Sequence, residues 1–290
     1  MPLSQKFSRT VNARGQTIPG ASFTPAPQFG DGLFETILVV SRQVVNRERH
    51  LARLLRGLER LDIPVQLPVV NDLVDSLLPH LAAEHCYRLR LQISRSQASS
   101  YTGYHCATPN PEITLTANPI ADPSPASAAL MLADVRLPKQ PALAGIKHCS
   151  RLEYVMAGLE RSRAANALDE QLDDMLLLDS DGAVIETTTA NLFVQLDGRW
   201  YTPPLDDVGV AGTVRAYLLE EGFAEIGLSC ELKTISLDNL VDARAVFLCN
   251  ALKGVVAVRS IRLAQDRVSA FAESPELVQI QELWFSRLRS

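Results

Sequence analysis

The sequence lacks the features of several common protein classes. No apolar run approaches the ~18–20 residues that a membrane-spanning helix needs, and the opening MPLSQKFSRT has no apolar segment of the kind found in signal peptides. There is no long basic block and the formal net charge is −5, so neither a membrane nor nucleic acid is expected as a partner. Lysine is scarce: of 28 basic residues only five are lysines, at positions 6, 139, 147, 233 and 253.

Cysteine and histidine are also few. The five cysteines are odd in number and show no CxxC spacing, which favours free thiols in a reducing, cytoplasmic compartment over a disulfide framework. The five histidines do not pair at metal-ligand spacing, so no metal is expected. No P-loop, GxGxxG, HExxH or GxSxG motif occurs. Chemistry based on those motifs is therefore not indicated.

What remains is typical of a globular α+β chain of 290 residues, 47% apolar and 21% charged. Hydrophobic periodicity predicts helices over 47–61, 72–83 (with Asn71 as N-cap), 152–168, 212–222 (closed by Gly222) and 275–288. It predicts strands over 32–40, 43–45, 87–93, 113–115, 130–137, 244–249 and 255–261, with hairpins around 179–182 and 197–198. The proline-rich segment 118–127 is interpreted as a linker between an N-terminal domain, 1–117, and a larger C-terminal domain, 128–290.

Three segments carry residue types that suggest chemistry. Lys147, in AGIKHCSRLE, offers an amine able to form a Schiff base. Glu186, in VIETTTANLF, could hold the ring nitrogen of a pyridine cofactor protonated. The small residues of GVAGTVR, 209–215, lead into a helix whose first N–H groups suit a phosphate. Each alone has an ordinary structural explanation, but together they supply the parts that pyridoxal 5'-phosphate (PLP) requires.

With these motifs in order, the chain resembles the fold-type IV PLP enzymes, which include branched-chain and D-amino-acid aminotransferases and 4-amino-4-deoxychorismate lyase. The resemblance covers nearly the whole chain, through GDGLFETI (30–37), HLAR (50–53), GIKHCSRLE (145–153), LLLDSDGAVIETTTANLF (176–193), YTPPLDDVGVAGTVR (201–215) and CNAL (249–252). It implies a two-domain α+β fold, with a smaller N-terminal α/β domain and a larger C-terminal domain containing a mixed β-sheet or barrel. It also implies a homodimer.

The resemblance also implies residue roles. Lys147 would be the Schiff-base lysine and Glu186 the partner of the pyridine nitrogen. Arg53 would contact the phosphate with the N–H groups of Thr213 and Val214, and the turn at Asn250 and Ala251 would lie on its other side. Asn191 would complete the cofactor site, and Glu35, Arg95 and Arg151 are candidates for substrate binding.

Within the family, AGIKHxxRLE, LDSDG and CNAL are most similar to the lyase branch. This implies conversion of 4-amino-4-deoxychorismate to 4-aminobenzoate and pyruvate, in folate biosynthesis. Two departures keep an aminotransferase for branched-chain or D-amino acids open. Glu35 stands where lyases can have threonine, and the segment 95–104, RSQASSYTGY, lacks the usual glycines and second arginine. A cofactor-binding protein without catalysis is a third possibility, disfavoured by the presence of Lys147, Glu186 and Arg53 together.

Overall fold

The structure is a computed structural model, and it describes residues 7–12, 14–17, 28–95, 100–102, 104–108, 110–264, 267–272 and 274–289. Positions 1–6, which enter the signal-peptide expectation, lie outside these ranges. So do 96–99 and 103, within the segment 95–104. None of the helices in the described ranges has the length and apolar composition needed to cross a membrane.

The chain forms two compact units, whose boundary at Asp122 and Pro123 lies within the predicted linker 118–127, but a short later segment also belongs to the first unit. The first unit ends at Asp122 and also takes Ile146–Arg151, and the second takes Pro123–Gly145 and the chain from Leu152 onward. Strands occupy both ends of the predicted linker 118–127 and leave only 121–125 as coil. Ile146–Arg151 joins the first unit because its backbone bonds to strand residues there, which sequence periodicity does not reveal.

The first unit is built on an antiparallel sheet. Among the described residues it has five strands in the order β1-β7-β4-β2-β3. The strands are β1 (Phe7–Asn12), β2 (Gly32–Val40), β3 (Gln43–Val44), β4 (Cys86–Arg95) and β7 (Pro111–Ile120), while β5 (Ser100–Thr102) and β6 (His105–Thr108) form a separate hairpin. The predicted strands at 32–40, 87–93 and 113–115 are confirmed, because their alternating apolar residues line the buried face.

Helix α1 (Arg47–Arg60) is confirmed, but its buried face is not the face marked by its leucines. Its buried residues include His50 and Arg53, whereas Leu55 is exposed. Gly57 permits this orientation, since a Cβ there would come within 2.7 Å of the Leu33 side chain. The helix therefore presents two polar side chains to the interior of the first unit.

Helix α2 (Leu67–Leu77) begins earlier than predicted. A helix is present where one was expected, but the predicted bounds 72–83 and the N-cap Asn71 are wrong: the N-cap is Gln66, and Pro68 lies in the first turn. Proline suits that position because the first helical N–H groups have no intrahelical partner. The chain then makes a 3₁₀ turn, Leu78–His80, at Pro79.

The second unit is a mixed sheet that closes on itself. Six of its described strands form a ring in the order β10-β9-β8-β15-β14-β11, in which β10 pairs with β11, and β12, β13 and β16 extend it. The strands are β8 (Ala126–Leu137), β9 (Asp174–Asp179), β10 (Val184–Thr187), β11 (Asn191–Leu196), β12 (Arg199–Thr202), β13 (Cys230–Leu232), β14 (Ala245–Asn250), β15 (Gly254–Ala264) and β16 (Arg267–Ala270). The predicted α+β class with a barrel is confirmed.

Strand β9 is buried on both faces, which explains its unbroken apolar sequence. Leu176 and Leu178 point into the barrel core, whereas Met175 and Leu177 pack outward in a second cluster with Ala157 of helix α3 (Leu152–Leu168). The opposite face of α3 carries four largely exposed apolar residues: Leu152, Val155, Met156 and Leu159.

The remaining helices are α4 (Thr213–Tyr217), α5 (Phe223–Glu225), α6 (Leu237–Val241) and α7 (Pro275–Arg287). A π-helical turn, Leu218–Gly222, joins α4 to α5, so the prediction that Gly222 closes this helix is wrong. Gly222 has helical φ and is a packing position, where a Cβ would lie 3.1 Å from Leu218 and Tyr217. Gly227, with φ +71°, follows the actual end.

Candidate active site

Lys147 lies in the first unit, against the start of β2. Its carbonyl accepts a hydrogen bond from Phe34 N (2.9 Å), and Cys149 N donates to Gly32 O (2.8 Å). Its Nζ is 4.7 Å from the centroid of the Phe34 ring. Gly30 makes the approach possible, because a Cβ there would come within 2.9 Å of the Ser150 backbone. The GDG sequence thus allows the lysine segment to pair with β2.

Arg90 of β4 shares the Phe34 ring with Lys147. Its guanidinium carbon is 3.6 Å from the ring centroid, a cation–π distance. The side chain is half-buried, and burial lowers the pKa of the guanidinium, which remains a cation. Within the part of the chain that the structure describes, this guanidinium makes no hydrogen bond or ion pair. Its five N–H donors are therefore open to an anion.

Glu35, His50 and Arg53 form a buried charged cluster. Arg53 Nε donates to Glu35 Oε1 (2.8 Å), a second Arg53 nitrogen contacts Oε2, and His50 Nδ1 is 2.7 Å from Oε2. Burial by itself raises the pKa of Glu35, but Arg53 and His50 outweigh it and lower the pKa to about 2. Burial also lowers the pKa of His50.

This cluster changes the interpretation of Glu35. Both of its oxygens are occupied, and the residue is 1% exposed. These contacts do not favour the predicted role of Glu35 in substrate binding, which stays a prediction. Glu35 instead fixes the guanidinium of Arg53, the residue assigned to the cofactor phosphate.

The other two arginines suggested for substrate binding hold backbone. Arg95 pairs with Asp31 (2.5 Å) and donates to the carbonyls of Leu61 (2.5 Å) and Asp62 (2.8 Å). These contacts do not favour its predicted role in substrate binding, which stays a prediction. Arg151 donates to the carbonyls of His148 (3.0 Å) and Ile146 (3.2 Å). These two bonds clamp the backbone on either side of Lys147, so Arg151 orients the lysine segment.

Glu186 of β10 is the centre of the second unit's polar cluster. The side chain is buried, and its Oε1 accepts a hydrogen bond from Tyr154 Oη at 2.6 Å. Its Oε2 accepts from Asn191 Nδ2 and from Val210 N, both at 3.1 Å. Three donors on a buried carboxylate compensate its desolvation and fix its direction.

Asn191 connects Glu186 to the loop before α4. Its Nδ2 also donates to Val210 O (2.8 Å), and its Oδ1 accepts from Gly212 N (3.1 Å). A Cβ at Gly212 would lie 2.1 Å from that Oδ1, so only glycine fits here. The loop delivers the chain to Thr213 and Val214, both buried at the start of α4.

The loop also pairs with the chain just before Lys147. Gly145 N donates to Gly209 O (2.9 Å), and Ala211 N donates to Gly145 O (3.1 Å). Gly145 precedes Lys147 by two residues in the sequence. The backbone of the GVAG loop is therefore fixed to Gly145 within the second unit.

Asn250 and Ala251 form a tight turn between β14 and β15. Asn250 Oδ1 accepts hydrogen bonds from Leu252 N (3.0 Å) and Lys253 N (2.8 Å), which fixes the turn in place of a backbone bond. The Asn250 side chain is thus used internally, and a ligand near this turn would meet its remaining backbone groups.

The described residues suit PLP on chemical grounds. The first unit supplies a lysine amine and two arginines; the second supplies a buried carboxylate and a loop whose glycine leaves space that a Cβ would fill. These match the aldehyde, the phosphate and the ring nitrogen of the cofactor.

Comparison with known proteins agrees with a set of residues suited to PLP. The family model for amino-transferase class IV matches residues 32–261. The chain belongs to this family. An aminodeoxychorismate lyase from Vibrio harveyi is 32% identical over 83% of this chain and 87% of its own length. The crystal structure of 4-amino-4-deoxychorismate lyase from Pseudomonas aeruginosa has a TM-score of 0.79 at 30% identity and covers 96% of this chain and 97% of that one.

An aminotransferase is also similar. The D-alanine aminotransferase of Bacillus licheniformis is 27% identical over 81% of this chain and 80% of its own length. The class IV family uses PLP, and PLP-bound structures occur among those that share this fold. The chain is therefore a class IV PLP enzyme, with either lyase or aminotransferase chemistry.

Tyr154 and Arg90 were missed from the sequence, and so was Asp174, which bonds the turn that follows Glu186. Tyr154 follows Lys147 closely but carries no charge or pattern that marks it. Arg90 is indistinguishable from the other polar residues on its strand, since its nearness to Phe34 requires the β2–β4 register. Asp174 begins an apolar strand and reveals its hydrogen bonds only in three dimensions.

Proposed function

We propose that the enzyme is a PLP-dependent 4-amino-4-deoxychorismate lyase that forms 4-aminobenzoate and pyruvate. Arg90 carries the proposal: an arginine with open donors lies on the same aromatic ring as the Lys147 amine. The substrate bears two carboxylates, and a bidentate guanidinium is well suited to bind one of them. The similarity to two lyases supports the assignment.

The chain's residues divide the work as follows. Bound PLP supplies an electron sink for the pair left when a C–H bond breaks. Lys147 holds the cofactor covalently, then removes the proton from the amine-bearing carbon as a general base. Glu186 keeps the ring nitrogen protonated. Arg53, oriented by Glu35, binds the phosphate.

Further groups bind the phosphate and complete the reaction. The N–H groups of Thr213 and Val214 bind it alongside Arg53, and the turn at Asn250 and Ala251 lies on its other side. As the C–H proton leaves, the C–O bond to the enolpyruvyl group breaks. The enolpyruvate that leaves takes up one proton, equivalent to the one that Lys147 removed, and is released as pyruvate, while the substrate ring becomes aromatic.

The test is an assay of the PLP-loaded protein with 4-amino-4-deoxychorismate, in which 4-aminobenzoate and pyruvate are separated by chromatography. Equal amounts of both are expected, with none from Lys147→Ala. Arg90→Gln should raise KM more than it lowers kcat, because it removes ground-state carboxylate binding. Arg88→Gln, on the same strand but exposed, is the matched control. Absence of both products from an intact, PLP-loaded protein would contradict the proposal.

A class IV aminotransferase is the second candidate, favoured by Glu35 and by the similarity to a D-alanine aminotransferase. It would share the proton removal by Lys147, and PLP would there supply transamination chemistry, in which the amino acid leaves as a keto acid. Adding D-alanine or branched-chain L-amino acids then converts the bound PLP to its pyridoxamine form, which is visible as a loss of absorbance near the PLP maximum. No such conversion is expected of a dedicated lyase.

We also propose a homodimer in the cytoplasm. The exposed residues Leu152, Val155, Met156 and Leu159 follow the i, i+3, i+4, i+7 spacing of a helix face that packs against another surface. The five cysteines are all free, as in a reducing compartment. Light scattering should give a molar mass of about twice the chain mass of 31.8 kDa, and Val155→Asp should lower the molar mass toward that of a single chain. A wild-type monomer would contradict the homodimer.

A further inference from the structure

Asp174, the first residue of β9, is a buried carboxylate surrounded by hydrogen-bond donors. Its Oδ1 accepts from Met175 N (2.8 Å), Thr188 N (3.1 Å) and the Thr188 hydroxyl. Its Oδ2 accepts from the hydroxyls of Thr187 (2.9 Å) and Thr189 (2.6 Å). Five donors on one carboxylate form a complete network, and such networks hold their members in one arrangement.

The donors belong to the turn between β10 and β11. Thr187 N bonds to Ala190 O (2.8 Å), so residues 187–190 form a closed turn. Immediately outside it, Glu186 pairs with Asn191 across the two strands. In the described part of the chain this is the single residue pair that joins β10 to β11 and closes the barrel.

The direction of the Glu186 carboxylate therefore depends on the turn. Asn191 donates to Glu186 and also bonds the loop residues Val210 and Gly212, so a shift of the turn would move all of these contacts. Asp174 binds every threonine of the turn but is not bonded to Glu186 itself.

We propose that Asp174 is a positioning residue for Glu186, which it aligns through the three threonine hydroxyls of the turn. This inference rests on the proposed pairing of Glu186 with the cofactor's ring nitrogen. A misaligned carboxylate supports the positive charge at that nitrogen less well. The pH midpoint of the bound cofactor's visible absorbance reports the pKa of the nitrogen that joins Lys147 to the cofactor. A positive charge on the nearby ring nitrogen lowers that pKa. Loss of alignment weakens this charge and should therefore raise the pH midpoint.

The test compares PLP-loaded variants by that pH titration, by steady-state kinetics and by thermal unfolding. Glu186→Gln is the reference for a lost ring partner. Asp174→Asn should move the pH midpoint in the same direction as Glu186→Gln and lower kcat by about 10-fold, with KM changed by less than about threefold. Thr188→Val, which removes one donor and keeps the shape, should give a smaller shift of the same sign.

Asp173→Asn is the matched control. Its carboxylate accepts from Ala129 N (2.8 Å) and pairs with Arg259 (3.1 Å), and it does not contact the turn. It should lower the melting temperature without moving the pH midpoint. In a Glu186→Gln background, Asp174→Asn should add little to the midpoint shift, because both act through the same group.

The outcomes separate the two hypotheses. If Glu186→Gln leaves the midpoint unchanged, the proposed role of Glu186 fails. If Glu186→Gln moves it but Asp174→Asn and Thr188→Val do not, the positioning role of Asp174 is refuted, even where these variants are less stable. If Asp174→Asn does not fold, Thr188→Val decides.

Discussion

Replacing Glu35 by glutamine tests the buried charged cluster directly. Glu35→Gln preserves the shape of the side chain but removes the negative charge between Arg53 and His50. Arg53 is then a buried cation that has lost the charge of Glu35. The loss of this carboxylate is costly, because its charge no longer compensates the hydration that the guanidinium lost on burial.

Two arguments give the effect the same sign and order of magnitude. Breaking a buried ion pair on one side costs about 3–5 kcal/mol. Independently, the pKa of Glu35 falls from 4.5 to about 2 on folding. A shift of that size corresponds to about 3 kcal/mol at neutral pH. The folded-state pKa is the lower one, so this stabilisation is complete above about pH 4.5 and is lost as pH falls toward 2.

The assay is urea unfolding of the PLP-free wild type and variants at pH 7 and at lower pH, so that ligand binding does not contribute to the measured stability. Glu35→Gln should reduce the free energy of unfolding by about 3 kcal/mol at pH 7, and the difference should narrow below pH 4.5. The control is Asp75→Asn, which breaks the exposed Arg47–Asp75 pair and should cost less than about 1 kcal/mol. Equal losses for both variants would refute the role of burial.

Two further predictions concern the cofactor loop and the lysine segment. Gly212→Ala should weaken PLP binding at least about 10-fold in an equilibrium titration, because the new Cβ would lie 2.1 Å from Asn191 Oδ1. The control is Gly158→Ala, whose Cβ would meet nothing within 4 Å. It should leave PLP binding unchanged and stabilise α3 by about 0.5–1 kcal/mol. Burial and the charges of Arg151 and Lys147 lower the pKa of His148 from 6.5 to about 4, so stability should fall as pH drops between these values. His148→Asn should flatten that part of the pH–stability curve, and an unchanged slope would contradict the assignment.

Local patterns predicted most elements of the fold. Interactions between residues close in the sequence determine these elements, as shown by the leucine spacing of α1, the alternation in β4 and the DG turn before β12. The errors at α2 and Gly222 arose where two local signals competed. Pro68 and Asn71 both mark helix starts, and Gly222 both ends helices and permits close packing.

The candidate site was predictable only in part, for a different reason. Lys147 and Glu186 follow from residue type within a motif, and the structure gives each a fixed environment. The contacts of Glu35, Arg90 and Arg95 involve partners from distant segments of the chain. Examples are Leu61 O for Arg95 and the Phe34 ring for Arg90. A list of candidate arginines cannot show which one has already used its donors.

The closed ring of the second unit affects when the enzyme can first bind its cofactor. Strand β8 pairs in parallel with β15, and the register joins Ala126 to Val256, so the ring needs both ends of a long stretch of chain. Pairing of such distant strands is slow, because the loop between them must be closed first. During synthesis, Glu186 and Asn191 leave the ribosome well before β15 is made. The carboxylate half of the site is therefore complete only once β15 has joined the ring, and a chain cut before β15 should be unable to hold Glu186 in place for PLP.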